Sequence, residues 1–423
     1  MVFSRGRRPD AYPVYLIYTG AWALIFSIIV TVNLVYQVET VGLSPLQLVL
    51  VGTTLEATAF LFEVPTGVVA DVYSRRLSVV IGVTLIGIGF IFEGLVPVFA
   101  AVLLAQVVWG IGYTFISGAG EAWIVDEVGE ANAGPVLLRG SQAAQIGGLI
   151  GAPISVALAS IALNVPVVAG GVLYLLLAVF LLLRMPETAF HPTPRGERSS
   201  WQAMGHTFME GTRLVRGKPL LLTILLVAAV LGAASEGFDR LSTAHFIDDI
   251  GLPAIGRFKP VVWFGVMSMA GSLLGIVGVG YLRRRLDMSS NTAVTRALFA
   301  FASVRIVATV IFALTGSFAV ALPVYLIGGL FRRVSYPVYS AWLNQHIPSR
   351  LRATVLSMNG QADSLGQIVG GPAIGLLGNV SLRAAIAVSG LLLTPALALF
   401  ARAGRQGSEA ESANPVPSTV GEG

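Results

Sequence analysis

Gly67-Val68-Val69-Ala70-Asp71-Val72-Tyr73-Ser74-Arg75-Arg76 passes from apolar to charged within ten residues, between two long apolar runs near 47–71 and 77–97. A helix needs about 20 mostly apolar residues to cross the hydrocarbon of a bilayer, and each run meets that length. The stretch therefore reads as the charged corner of a membrane hairpin. Gly67 lets a neighbouring helix approach closely, and Asp71 is placed to hold Arg75 or Arg76 across the tight turn.

The same pattern repeats along the chain. Further apolar runs fall near 14–37, 100–123, 141–163 and 166–183, and then near 219–238, 260–282, 294–314, 317–342, 353–378 and 382–401. The expected architecture is all-α, with twelve transmembrane helices in two six-helix bundles. Residues 1–184 form the first bundle and 219–402 the second. Between them lies a polar linker, 185–218, in which Trp201 to Arg216 can form an amphipathic helix on the membrane surface. Residues 403–423, rich in Ser, Gly, Pro and Glu, are expected to be a disordered tail. The run from Pro13 to Tyr36 is too long for the apolar core of a signal peptide and reads as a first, uncleaved span.

Composition agrees. Hydrophobic residues make up 55% of 423 positions, charged residues 12%, and the mean hydropathy is +0.79. A soluble domain carries about 25% charged residues, so this chain cannot clothe a globule in water. The net charge of +5 lies in short patches between apolar runs, which points to lipid and away from nucleic acid. With both termini placed inside, 20 of the 27 basic residues fall on the cytoplasmic side, as positive-inside bias requires. The plasma membrane is the expected location. No cysteine is present, which removes disulfides, thiol catalysis and Cys-ligated metals. The four histidines, His191, His206, His245 and His346, are read in loops or at span ends with no metal-ligand spacing. No phosphate-cradling glycine loop or catalytic cluster appears, so neither an enzyme nor an ATP-driven pump is expected, and no cofactor.

The two halves echo each other: Gln145-Ile146-x-Gly148 in the fifth span returns as Gln367-Ile368-x-Gly370 in the eleventh. The corner from Gly67 to Arg76 resembles the signature loop of the major facilitator superfamily, Gly-x-x-x-Asp-x-x-Gly-Arg-Arg/Lys, with Ser74 where that family usually has Gly. Phe62 to Gly67, Ser117 to Asp126, Pro186-Glu187-Thr188, Ser235 to Leu241 and Ile347 to Ser357 extend the resemblance, which is to bacterial drug-efflux-like members. It implies alternating access, a small-molecule substrate, a monomer, and a loop of Gly67, Asp71, Ser74, Arg75 and Arg76 that latches the halves with Asp126 as acidic partner. Gly147, Gly151 and Pro153 resemble the Gly- and Pro-rich exporter signature of the fifth span, although Ala152 separates Gly from Pro here. In physical terms, the small residues permit close packing and Pro153 can bend the helix.

Charges inside spans cost roughly 2.5–3.5 kcal/mol each even on lenient scales, so they face a cavity or one another. Glu56 and Glu63 lie seven residues apart on one face of the second span. A desolvated carboxyl there can take up and release a proton near neutral pH. Glu121, Glu236 and Asp239 complete the proton-coupling candidates. Glu236 and Arg240 can pair at i, i+4. Arg240, Arg305, Arg332, Arg333 and Asp363 are candidates for a substrate cavity or for interhelical ion pairs, and Asp363 is expected to have a basic partner. Aromatic residues such as Trp109, Phe238 and Tyr339 can line an apolar pocket or simply pack. The function expected from these readings is proton-coupled export of small amphipathic or drug-like molecules; import or facilitated passage of a metabolite is the alternative.

Overall fold

In a computed structural model of the chain, the described residues are 10–192, 209, 212–213, 215–254, 256, 259–347 and 352–413. They are helical almost throughout: α1 Ala11–Glu39, α2 Pro45–Val72, α3 Arg75–Leu95, α4 Phe99–Ile116, α5 Ala119–Val128, α6 Glu130–Ala159 and α7 Val165–Arg184. After the linker come α8 Pro219–Ala244, continued by a π-helical turn His245–Ile250, then α9 Val262–Arg285, α10 Asn291–Leu314, α11 Phe318–Gln345, α12 Arg352–Val380, α13 Leu382–Leu391 and α14 Thr394–Ala413. Eleven helical segments among the described residues are long and apolar enough to cross a bilayer. The one long helix outside that set is α12, where Asn359, Gln361, Asp363, Gln367 and Asn379 dilute the apolar run.

Several boundaries differ from the sequence reading. The fourth span is two helices, because Gly118 takes a left-handed φ of 73° between α4 and α5. The fifth begins at Glu130, after a second turn at Gly129 with φ 78°. The seventh runs on to Ile250, so Arg240 lies in a helix and not in an outer loop. His245 lies inside that helix too, fully buried, with Nδ1 2.7 Å from Asp249 Oδ2. The twelfth breaks between α13 and α14, and α14 continues through Ala413, so the first part of the expected tail is helical. Most of the expected surface helix Trp201 to Arg216 lies outside the described residues, as do Arg5, Arg7, Arg8, Arg195, Arg198, His206, Arg257, Arg350 and 414–423.

The chain divides into two compact units, which do not coincide with the two sequence halves. The first comprises residues 1–200, 240–270 and 375–380; the second comprises 201–239, 271–374 and 381–423. In the first, α1 packs on α6 and α7, and α3 packs on α4 and α7. Its core gathers Tyr15, Tyr18, Ile25, Ile29, Trp123 and Tyr174. Water drives little association between helices in lipid, so close backbone approach and polar contacts matter more. A Cβ on Gly147 would stand 2.2 Å from the Gly20 carbonyl oxygen, and one on Gly151 would stand 2.5 Å from that of Leu24. Ser27 Oγ donates to the Gly148 carbonyl at 2.7 Å and Ser155 Oγ to that of Ile28 at 2.5 Å.

The second unit uses the same device. A Cβ on Gly366 would stand 2.1 Å from the Ala229 carbonyl, and Gly370 abuts Ala233 at 2.9 Å. The packing repeat is thus Gly147/Gly151 against Gly366/Gly370, whereas the sequence echo aligned Gly148 with Gly370. Gly148 meets nothing within 4 Å. In the second core Trp342 Nε1 donates to Asn291 Oδ1 at 2.7 Å, among Leu221, Ile224, Leu298 and Phe400.

The glycine contacts generate a test. Gly147→Leu should destabilise the fold by at least 1–3 kcal/mol, on the order of other overpacking changes, because its neighbour is backbone and cannot rotate away. Gly148→Leu should be neutral. The measurement is the yield of monodisperse protein and its thermal unfolding midpoint in detergent; equal behaviour of the two variants would refute the close-approach argument.

Candidate functional site

The charged corner sits within the first unit. Ser74 caps α3, its Oγ accepting from Leu77 N–H at 2.9 Å while donating to Glu187 Oε2 at 2.6 Å. The other Glu187 oxygen accepts from the Arg76 N–H at 3.0 Å. Arg75 bonds Asp126 and also donates to the Ala122 carbonyl at 2.6 Å; its guanidinium lies 5.9 Å from the Phe190 ring centre. The Arg76 guanidinium donates to the Leu182 carbonyl. Trp123 Nε1 donates to Pro186 O at 2.5 Å, and Glu127 accepts from the Thr188 N–H and hydroxyl and from the Ala189 N–H.

The two arginines are therefore held from α5 and from the end of α7. Asp71 lies exposed in the last turn of α2, while Asp126 reaches the corner across the packed α3–α5 contact. Ser74 has a physical explanation too. A glycine could neither cap α3 nor reach Glu187. The importance of Glu187 was not foreseen, because a carboxylate 113 residues from Ser74 gives no local signal.

A second polar cluster lies in the first unit around Glu93 of α3, which is 0% exposed. Gln37 Nε2 donates to Glu93 Oε1 at 2.8 Å and Gln106 Nε2 to Oε2 at 3.3 Å; Asn33 also hydrogen-bonds the carboxylate. Tyr36 OH donates to the Glu93 carbonyl at 2.8 Å. Arg240 acts on the carboxylate through space without a hydrogen bond. With their amide N–H groups turned to Glu93, Asn33, Gln37 and Gln106 leave their oxygens buried and unpartnered. Each such group costs about 1–3 kcal/mol, so this cluster is not arranged for stability alone. Glu93 escaped the sequence reading because it stands next to a helix end.

In the second unit Asp239 of α8 pairs with Arg332 of α11. Asp363 accepts from Gln367 at 2.9 Å and also acts on Arg332 through space. Arg333 lies along α9, its Cδ 2.9 Å from where a Cβ on Gly275 would be. Arg305 of α10 makes no hydrogen bond or ion pair among the described residues; it feels Arg332 and Asp239 through space. Arg305 and Arg332 line a small cavity of about 20 Å³, room for about one water molecule, with Ser235, Phe238, Thr309 and Ser389. Phe238 stacks on Tyr325 at 5.5 Å and meets Phe312 edge-on at 5.8 Å.

The other expected residues are placed apart from these clusters. Glu56 is half-buried, whereas Glu63 and Glu121 are exposed on the protein surface. Glu236 is buried, at 2% exposure, with a partner. Gly147 and Gly151 pack on α1, and Pro153 lies on the exposed face of α6. Among the described residues no group of three or more His, Asp or Glu could hold a metal.

The sequence profile of the Major Facilitator Superfamily matches residues 12–359. The chain belongs to that superfamily. This superfamily member is 23% identical over 333 residues to an uncharacterized MFS-type transporter, YxaM, of Bacillus subtilis, covering 78% of this chain and 80% of the relative. Its fold is similar to that of a bacterial homolog of the human lysosomal transporter Spinster, solved inward-facing and unoccupied, at TM-score 0.75, 18% identity, and 96% and 99% coverage of the two chains. It is also similar to the nucleoside transporter NupG, at TM-score 0.71, 15% identity, and 93% and 99% coverage. A POT family transporter in complex with 5-aminolevulinic acid gives TM-score 0.71, 13% identity, and 95% and 97% coverage. The protein is thus a multi-pass membrane transporter and not an enzyme.

The corner makes its own prediction for this superfamily member. Ser74→Ala removes the cap and the bond to Glu187, and should destabilise the protein by about 1–3 kcal/mol. Ser74→Thr, which keeps the hydroxyl, should lose far less. Thermal unfolding in detergent reads both, and identical losses would exclude the hydroxyl as the cause.

Proposed function

We propose that the protein is a proton-coupled secondary active transporter that exports small amphipathic molecules by alternating access. It acts as a monomer in the plasma membrane, with both termini in the cytoplasm. The observation that carries the reading is Glu93, a carboxyl wholly withdrawn from water and, among the described residues, hydrogen-bonded by neutral amides. A carboxylate locked in a close ion pair with Arg would be held in its charged form. Amides instead can serve either form, since each can present N–H to a carboxylate or C=O to a carboxylic acid. The unpartnered amide oxygens of Gln37 and Gln106 are the acceptors that a protonated Glu93 would recruit.

The energetics suffice. One proton charge moving through about 100 mV supplies roughly 2.3 kcal/mol, enough for a gradient of roughly forty- to fifty-fold at about 1.4 kcal/mol per decade. Glu56 and Glu63 of α2 and Glu121 of α5 remain secondary candidates on the proton's route, with Glu236 and Asp239 on α8. The corner of Gly67, Asp71, Ser74, Arg75, Arg76 and Asp126 serves as the cytoplasmic latch: its bonds to Glu187 and Asp126 must break or shift for α2 and α3 to move relative to α5.

The test is efflux of a fluorescent amphipathic dye from cells expressing the protein. Efflux should be abolished by a protonophore, and Glu93→Gln should lower it at least tenfold while the protein still reaches the membrane. Glu63→Gln and Asp71→Asn should have smaller effects. Efflux that persists unchanged with the protonophore in both wild type and Glu93→Gln would sink the proton-coupled reading.

A further inference from the structure

We propose that an anionic phospholipid binds the groove between α10 and α14 of the second unit, its phosphate between Arg296 and Arg405 and an acyl chain along the exposed face of α10. Such a site is independent of the molecule transported and of the coupling ion.

The groove follows from how the helices meet. α10 runs antiparallel to α13 and α14: Asn291 Nδ2 donates to the Ala403 carbonyl at 3.2 Å, and a Cβ on Gly390 would stand 2.9 Å from Thr309 Cγ2. At the Asn291 end a Cβ on Gly404 would stand 2.9 Å from Thr295 Oγ1. The small side chains of this crossing leave a groove of about 280 Å³, lined also by Phe299 and Phe400 and by Arg296 and Arg405. Arg405 ends one apolar span and Arg296 lies near the start of another. Both guanidiniums therefore belong at headgroup level, where long basic side chains reach the interface.

The charge of this end is positive. Arg296 and Arg405 are exposed, and Arg296 makes no hydrogen bond or ion pair among the described residues. The acids nearest in sequence are Asp287, which accepts from Ser289 in its own loop, and Glu409 and Glu411 farther along α14. Against these three stand six arginines, at 283–285, 296, 402 and 405, so a positive excess persists whichever pairs form. The N-terminus of α10 adds the positive end of its dipole. A guanidinium fork matches a phosphate, and basic pockets between membrane helices hold anionic headgroups. The same excess repels the ammonium of a zwitterionic lipid.

The face beyond Arg296 selects a lipid over a free phosphate. Phe299, Val307, Ile311 and Leu314 fall within about 60° of Arg296 around the helix, at about 100° per residue. They are 41%, 57%, 42% and 64% exposed. An apolar track thus leads from the guanidinium into the bilayer, the path that an acyl chain takes from its phosphate.

The experiment is native mass spectrometry of the purified, delipidated full-length protein titrated with dioleoyl phosphatidylglycerol or dioleoyl phosphatidylcholine. Wild type should bind the first phosphatidylglycerol at least fivefold more tightly than phosphatidylcholine. The double variant Arg296→Gln, Arg405→Gln should lose that preference, whereas Arg284→Gln, outside the groove, should keep it. Equal binding of the two lipids by wild type, or an unchanged preference in the double variant, overturns the proposal. A large excess of inorganic phosphate should leave phosphatidylglycerol bound; displacement assigns the arginines to a soluble anion and overturns it too. If the double variant does not fold, phosphatidylglycerol with a photoreactive acyl chain decides on wild type. Labelling of α10 or α14 supports the site, and labelling confined to other helices refutes it.

Discussion

A bilayer interior supplies no water to a backbone amide or a charged side chain, and the architecture follows from that lack. Backbone groups must be satisfied within each segment, so the spans are helices. Side-chain charges must be met by partners or used. Because lipid is as apolar as leucine, helices adhere through contact and through polar bonds between them. The Gly147/Gly151 seam on α1 and the Gly366/Gly370 seam on α8 are the contact half of that solution. Ser27, Ser155 and Ser389, each donating to a carbonyl on a neighbouring helix, are the polar half.

The helical class, the superfamily and most spans could be read from the sequence, because hydropathy is a sum over about 20 residues and survives local errors. The breaks could not. Gly118 and Gly129 adopt positive φ within otherwise helical sequence, and a glycine inside an apolar run looks the same whether it turns the chain or packs against a neighbour. The seventh span is cut short at 238 in the sequence because two adjacent charges, Asp239 and Arg240, follow its apolar run. In the fold Asp239 is neutralised by Arg332, a partner 93 residues away that no local window contains.

The clusters were legible in the same uneven way. Asp239, Arg305 and Arg332 stand out because a charge in or beside an apolar run is conspicuous, and Arg75 and Asp126 because they fall in segments that carry the family resemblance. Who holds whom does not, because each partner lies on another helix. Asp71 is the clasp that proximity in sequence suggests; Asp126, on α5, pairs with Arg75, and Glu187, after α7, takes the Ser74 hydroxyl. Glu93 shows the opposite failure. Near a helix end it draws no attention in the sequence, and the convergence of Asn33, Gln37 and Gln106 from two other helices shows how completely it is enclosed.

Glu93 differs from the paired charges of the fold in how it is held. Arg75 meets Asp126 in the first unit and Arg332 meets Asp239 in the second, whereas the Glu93 carboxylate is met by the amides of Gln37 and Gln106. A close ion pair favours the charged form of both partners. An amide can serve either form of a carboxyl, offering N–H to the anion and C=O to the acid. On the function proposed above, that is why the caged carboxyl and not a paired one carries the proton step: its enclosure survives the change of charge that an ion pair would resist.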